Sequence, residues 1–322
     1  MGRSGGRRVR GEASGSEVRA SLYDEVTGRI VAELEAGRFP WVQPWDAAAA
    51  VPGLPRNAGS GRAYSGINVL ILWGEVIMRG YPSQGWLTFR QALEAGGCVR
   101  KGEHGVCVVY ADRFIPKEAD KGTLRGSVTP PNGDEPPEKA IHFLKRFTLF
   151  NVAQCEGLPE RMLAGSPPLP PRELVPVAEA LIEACGADFR IGGAEAFYSP
   201  GGDYVQVPPQ PAFRHRQDYY RTALHELGHW TGHASRLGRD LSNPFGSAGY
   251  AREELVAELA SAFLCAALGI EPSVHHADYL GSWLAVLRAD NRAIFRAASL
   301  ASKAADYLLG FQSQAPAMGA AA

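Results

Sequence analysis

The chain lacks most of what would mark it for an oxidising or a membrane setting. Its five cysteines, Cys98, Cys107, Cys155, Cys185 and Cys265, are odd in number, scattered and without a C-x-x-C pair. That speaks against a disulfide framework and against a cysteine-built zinc site, and for free thiols in a reducing compartment. No apolar run approaches the roughly 18 residues a membrane-spanning helix needs, so no membrane partner is expected. Arg7 and Arg8 precede no apolar core of a secretion signal, and Gly2 followed by Gly6 rather than Ser or Thr fails the myristoylation pattern. There is no G-x-x-x-x-G-K-S/T loop, so nucleotide hydrolysis is unsupported. Neither sign of charge dominates, the net being −1. These absences lead us to expect a folded chain of the cytoplasm, at 322 residues long enough for two domains.

The even charge balance hides an asymmetry. Residues 1–150 carry 20 Lys+Arg against 16 Asp+Glu, and residues 151–322 carry 13 against 18. A mildly basic front and an acidic back point to different partners for each.

What the chain does have is a stretch from Tyr219 to His233 containing H-E-x-x-H: His225, Glu226 and His229. Residues four apart on a helix stand one above the other, so the spacing aims both imidazoles at one point, where zinc accepts two ring nitrogens at about 2.0–2.1 Å. Glu226 turns to the neighbouring side of the helix. There it is placed to take a proton from water activated by the metal rather than to ligate. A third ligand is expected downstream, and residues 250–265 form a strong helix without Gly or Pro. On it Glu254 and Glu258 share a face beside a stripe of Leu255, Val256, Leu259 and Phe263. The natural assignment is Glu254 to the metal and Glu258 as acceptor for a ligand imidazole N–H. Two rivals stay open. Glu253 is one, unless it is a solvated surface charge. His233 is the other, and it reaches the metal only if Gly232 breaks the helix. Zn2+ is the expected cofactor, though two His and a Glu also accept Mn2+ or Co2+.

The rest reads as an α+β arrangement. Residues 1–17 are a basic tail, and a helix at 18–37 ends at Gly37. A loop then carries Trp41 and Trp45, either anchors on the core or platforms on which bases stack. A Gly-rich loop leads to a helix capped by Ser65. Residues 86–110 give a short helix, the basic turn Arg100-Lys101-Gly102-Glu103-His104-Gly105 and a strand from Val106. With Trp86, Phe89 and Arg90 nearby, that turn reads either as a phosphate-and-stacking surface or as a plain hydrophilic hairpin. Residues 116–140 look like a polar insertion before a strand at 141–152. The Pro-rich stretch 158–172 divides a front domain, 18–157, from a back domain, 173–310, with a tail at 311–322. In the back, Tyr204–Val207 reads as an edge strand suited to pairing an extended substrate, and 278–309 as one or two helices.

Assembled, these stretches resemble the ArdC-type antirestriction proteins of conjugative plasmids. The resemblance is carried by Tyr64-Ser-Gly-Ile-Asn-Val-Leu-Ile-Leu-Trp73, Trp86-Leu-Thr-Phe-Arg-Gln91 with Gly96-Gly-Cys-Val-Arg-Lys-Gly102, the run His225–His233, and Tyr250-Ala-Arg-Glu-Glu-Leu-Val-Ala-Glu258. The front module is also similar to one at the front of plasmid primases. The resemblance implies an N-terminal single-stranded-DNA-binding domain joined to a mostly helical zincin-like metallopeptidase domain with a small sheet. It also implies a role in shielding incoming plasmid DNA from host restriction. The residues expected to touch single-stranded DNA, with double-stranded DNA as a further partner, are Trp41, Trp45, Tyr64, Asn68, Trp86, Phe89, Arg90, Arg100, Lys101 and His104. The sequence names no protein substrate and does not decide whether the site turns one over.

Overall fold

The computed structural model describes residues 22–41, 53–114, 141–163, 171–270 and 279–312. Helix α1 (Leu22–Glu35) repeats apolar side chains every four residues and buries Ile30 and Leu34. Gly37 follows it with φ +72°, the left-handed turn that ends many helices. Strand β1 (Arg56–Asn57) leads through a glycine loop to α2 (Ile67–Arg79). Ser65 does not cap α2. Gly66 takes the capping position at φ +61°, a conformation open to glycine, and donates its N–H to Ser302 Oγ at 2.8 Å.

Strand β2 (Gly85–Leu87) passes into α3 (Phe89–Glu94), where Thr88 and Gln91 close a capping box. After β3 (Cys98–Val99), strand β4 (Val106–Phe114) pairs antiparallel along its whole length with β5 (Ile141–Asn151), Phe114 opposite Ile141. The expected insertion at 116–140 lies outside the described residues. The front sheet runs β1-β2-β5-β4, and β3 pairs with β6 (Cys155–Glu156).

A short helix, α4 (Glu160–Leu163), precedes α5 (Pro171–Ala184). Strands β7 (Asp188–Ile191), β8 (Phe197–Ser199) and β9 (Tyr204–Val207) form a sheet in the order β7-β9-β8. The expectation for Tyr204–Val207 is therefore corrected. It is the central strand, because Val205 and Val207 are wholly buried against the helices, and β8 is an outer one. Helices α6 (Arg216–Trp230), α7 (Ala248–Ala267), α8 (Leu280–Ala289) and α9 (Ala293–Gln312) complete the back half, so 278–309 holds two helices.

The protein has the two-domain α+β architecture expected of it, and the halves touch extensively. One buried cluster runs from Ile30 and Trp73 in front to Phe263 and Leu308 behind. Trp73 meets Phe263 edge-on at 5.7 Å between ring centroids. Thr27 Oγ1 donates to the Asn291 carbonyl at 2.6 Å, fastening α1 beside α8.

Candidate metal centre

Helix α6 is apolar on the side it turns to its neighbours, burying Tyr219, Tyr220, Ala223, Leu224, Leu227 and Trp230. It crosses α7 at Gly228. A Cβ there would lie 3.3 Å from Ala257 Cα, closer than two backbones tolerate without a shift. Ser247 caps α7 by accepting from the Tyr250 N–H. The close crossing lets one carboxylate on α7 reach two imidazoles on α6.

That carboxylate is Glu254. Its Oε2 lies 3.5 Å from His225 Nε2 and its Oε1 3.5 Å from His229 Nε2. Among the described residues this is the one trio of metal-type donors whose atoms converge. The opposite ring nitrogens face other carboxylates: His225 Nδ1 is 3.5 Å from Glu258 Oε2, and His229 Nδ1 is 3.1 Å from Glu253 Oε1. An N–H at each Nδ1 would leave both Nε2 lone pairs turned toward Glu254. Glu253 thus stands behind His229 rather than beside Glu254. It is held by Arg239, whose Nη2 donates to it at 2.8 Å and to the Gly228 carbonyl at 2.6 Å, and whose Nη1 reaches Thr231 Oγ1 at 2.8 Å. His233 is turned away. Helix α6 ends at Trp230, the chain folds back at Gly232, and His233 Nδ1 meets Ser235 Oγ at 2.8 Å.

The electrostatics follow from this crowding. Burial opposes protonation of His225 and His229, yet the carboxylates facing each ring outweigh it and hold the two up to about 10 and about 9. Burial would raise Glu254, but the two imidazoles bring it well below the usual carboxylate range. Glu226 is pushed up by its own burial, and the Tyr198 backbone N–H donates to it. Four carboxylates around two imidazoles make a pocket that favours added positive charge. Ligand atoms on a tetrahedral zinc sit roughly 3.3 Å apart, close to the 3.5 Å separations found here. The donor set therefore suits a divalent cation, with Glu226 beside it and not in it.

The set opens onto a cavity of about 300 Å3 lined by β8 (Phe197 and Tyr198), by Asp240, Leu241 and Asn243, and by Tyr250 and Tyr279. Tyr198 donates its hydroxyl to Asp203 at 2.8 Å, and burial with that carboxylate pushes the phenol up to about 12. Asp203 in turn pairs with Arg236, which lies 3.9 Å over the Trp230 ring at the end of α6. This brace ties β8 to the end of α6. In the sequence it is marked only by a Tyr198 and an Asp203 five residues apart, with Arg236 far downstream.

The front-half candidates separate. Trp41 and Trp86 do not offer themselves for stacking. They are 0% and 1% exposed, Trp41 packed edge-on against Trp283 at 5.7 Å and Trp86 against Tyr81 at 6.0 Å. Large rings gain more from the core than from water. Trp45 lies outside the described residues. Asn68 spends both ends of its amide on Val109, donating to its carbonyl at 2.7 Å and accepting its N–H at 2.9 Å, which closes the outer edge of β4. Tyr64 is half-buried and bonded to Asn57. Phe89, Arg90, Arg100, Lys101 and His104 are exposed, with Arg90 paired to Glu94 and Arg100 to Glu103. Residue-by-residue reading passed over a pair on the hairpin. Tyr110 and Phe147 are 58% and 44% exposed with rings 6.4 Å apart, and Lys145 stands opposite Tyr110. Their signal was the two-residue alternation of β4 and β5, which puts all three on one face.

A helix pair carrying these donors, beside a three-stranded sheet and behind an α+β module, defines a zincin-like metallopeptidase fold joined to a second domain. Family models agree: residues 20–150 match the N-terminal domain of the anti-restriction factor ArdC, and residues 176–300 a zincin-like metallopeptidase. The chain belongs to the ArdC antirestriction family. It is 40% identical to the metal-free crystal structure of the antirestriction ArdC protein of plasmid R388, with a TM-score of 0.75, covering 92% of this chain and 99% of that one. The same protein's Mn(II)-bound structure matches at 39% identity with a TM-score of 0.72. An uncharacterized protein, y4eC, of Sinorhizobium fredii is 40% identical over 91% of this chain and 93% of its own length. A DNA primase TraC of Escherichia coli is 40% identical over 92% of this chain, which spans 28% of that primase.

Proposed function

We propose that the chain binds single-stranded DNA through its front module and holds zinc in its back domain, protecting incoming plasmid DNA from host restriction in the cytoplasm. His225, His229 and Glu254 are the ligands, Glu258 and Glu253 fix the imidazole tautomers, and Glu226 is the general base. The observation that carries this is the meeting of three donors from two helices, their ligand atoms all within 4.8 Å of one another. Bound zinc would lower the pKa of water and polarise a peptide carbonyl. Glu226 accepts the proton that an attacking water must lose, and its raised pKa suits it to pass that proton on to a leaving amine. The Tyr198 N–H keeps its carboxylate aimed along the cavity.

A purely structural zinc is closed by four protein ligands. Three converging donors beside a cavity of about 300 Å3 favour the enzymatic form, in which the site cuts proteins met on nucleic acid. The front half supports nucleic-acid binding through exposed rings and cations, Phe89, Tyr110, Phe147, Lys101 and Lys145.

The test uses the whole chain. Zinc should bind one to one, and a fluorescent oligonucleotide should bind more weakly as salt rises. Glu226→Ala should keep both while losing any cleavage of an unfolded protein. If Glu226→Ala also loses zinc, its assigned role is wrong. Should it still protect DNA from restriction, protection belongs to DNA binding alone.

A further inference from the structure

The cavity is lined by polar side chains, Asp240 and Asn243 beside the donor set, and by the rings of Phe197, Tyr250 and Tyr279. Phe245 stands beside these rings: it is 80% exposed, and its ring lies 5.1 Å from Tyr250. Single exposed rings are ordinary on protein surfaces. This one continues two rings that line the cavity. The Tyr250 and Tyr279 rings are 5.9 Å apart, and their hydroxyls bond each other at 3.1 Å. The Tyr250 hydroxyl also bonds Glu254. Both phenol oxygens are thus engaged, and what this corner offers a ligand is ring surface. Tyr279 is fixed from behind by stacking on the buried Trp283 at 6.2 Å. Among the described residues β8 pairs with β9 on one side alone, so an extended chain can lie along its outer edge with side chains turned alternately toward the cavity.

We propose that Phe245, Tyr250 and Tyr279 form a side-chain subsite that takes a bulky apolar residue, aromatic or leucine-sized, from an extended polypeptide lying across the donor set. The subsite rests on the metallopeptidase reading and gives that reading a substrate class: segments with exposed apolar side chains, as unfolded proteins have. A phenyl group seated there covers Phe245 and is itself removed from water.

Two probes separate the subsite from the metal. Acetohydroxamate engages a metal position alone, and 3-phenylpropanohydroxamate adds one phenyl ring. Titrated calorimetrically into the zinc-loaded full chain, the phenyl compound should bind roughly ten-fold tighter or more, as burial of a side chain of that size implies. Phe245→Ala should remove most of that advantage and leave acetohydroxamate affinity unchanged, and Phe245→Leu should keep much of it. Phe245 is exposed, so neither variant threatens the fold. Equal affinity of the two probes for the unaltered chain, or an advantage undiminished in Phe245→Ala, overturns the subsite. If neither probe binds although zinc is held one to one, the metal has no open position. That result overturns the metallopeptidase reading, and the subsite falls with it.

Discussion

The two halves of the molecule put their polar side chains to different use. In the back, polar groups are buried facing one another: Glu254 between His225 and His229, Glu258 and Glu253 behind them, and Arg239 behind Glu253. Such a set is costly to bury unless charge is matched, and the matching charge is what a cation would bring. In front, the buried Glu75 is matched by Arg29 and Arg79, and amide side chains are spent on holding backbone. Asn68 closes the edge of β4, and Asn151 donates to the Ser83 carbonyl at 2.8 Å beneath the sheet. The difference teaches where chemistry sits in this chain. On the proposed function, the back keeps it inside, on rigid helices, and the front keeps it outside, on the hairpin and on α3.

The sharpest way to break that contrast is to remove one member of the buried set. Glu254→Ala should reduce zinc from about one per chain to a small fraction, read by elemental analysis, because the two imidazoles alone leave too few donors. Glu226→Ala should leave it near one. Equal zinc in Glu254→Ala and the unaltered chain would exclude Glu254 as a ligand.

The next effect concerns what joins the halves. Trp73 is wholly buried and touches Phe263 across them. Trp73→Ala should cost about 3–5 kcal/mol, as large-to-small changes in cores do. Because α1 and α2 share the core with α8 and α9, the loss should appear as one cooperative transition moved to lower denaturant. Two separate transitions, with only one moved, would mean that the halves fold independently.

How much could be read beforehand follows from the same contrast. H-E-x-x-H on a helix encodes its geometry in its spacing, so the meeting of His225 and His229 was legible, as was a later helix bearing Glu254 and Glu258. That Glu253 would stand behind His229 was not, since it depends on how α7 crosses α6 at Gly228 and on Arg239 folding back from a loop. In front, residue type without spacing was ambiguous. A tryptophan serves as anchor or as platform, and burial decided for anchor at Trp41 and, on β2, at Trp86. Strand β9 was legible as a strand but not as the central one, because the order of strands in a sheet is a tertiary fact. Tyr110 and Phe147 escaped notice because each alone reads as an ordinary strand residue.

A smaller effect sharpens the front-half side. Tyr110→Ala with Phe147→Ala should weaken oligonucleotide binding by about 1–3 kcal/mol per base stacked there, with melting temperature nearly unchanged, since both rings are largely exposed. Arg100→Ala with Lys101→Ala should weaken it less and lower its salt dependence. Unchanged binding in both pairs would move the DNA surface off the hairpin and off the turn.

The smallest effect lies in the brace between the site and the sheet. The Arg236 guanidinium beside Asp203 holds its carboxyl below the usual range, with the Tyr198 hydroxyl adding to it. A carboxyl depressed on folding contributes stability that is present above its unfolded pKa of about 3.9 and is lost as pH falls through its folded value. Asp203 is about a third exposed, and pairs of that exposure contribute at most about 1 kcal/mol. The loss should therefore be slight and confined to pH below about 4. Asp203→Asn isolates it, because Asn also tolerates the left-handed φ of +49° at this position. The unaltered chain should lose more stability than Asp203→Asn between neutral pH and pH 3, while the two differ by a constant amount above pH 5. Parallel curves through the acid range would show that Asp203 carries no pH-linked stability. The hold of β8 beside Glu226 would then rest on the Tyr198 backbone N–H and the sheet pairing alone.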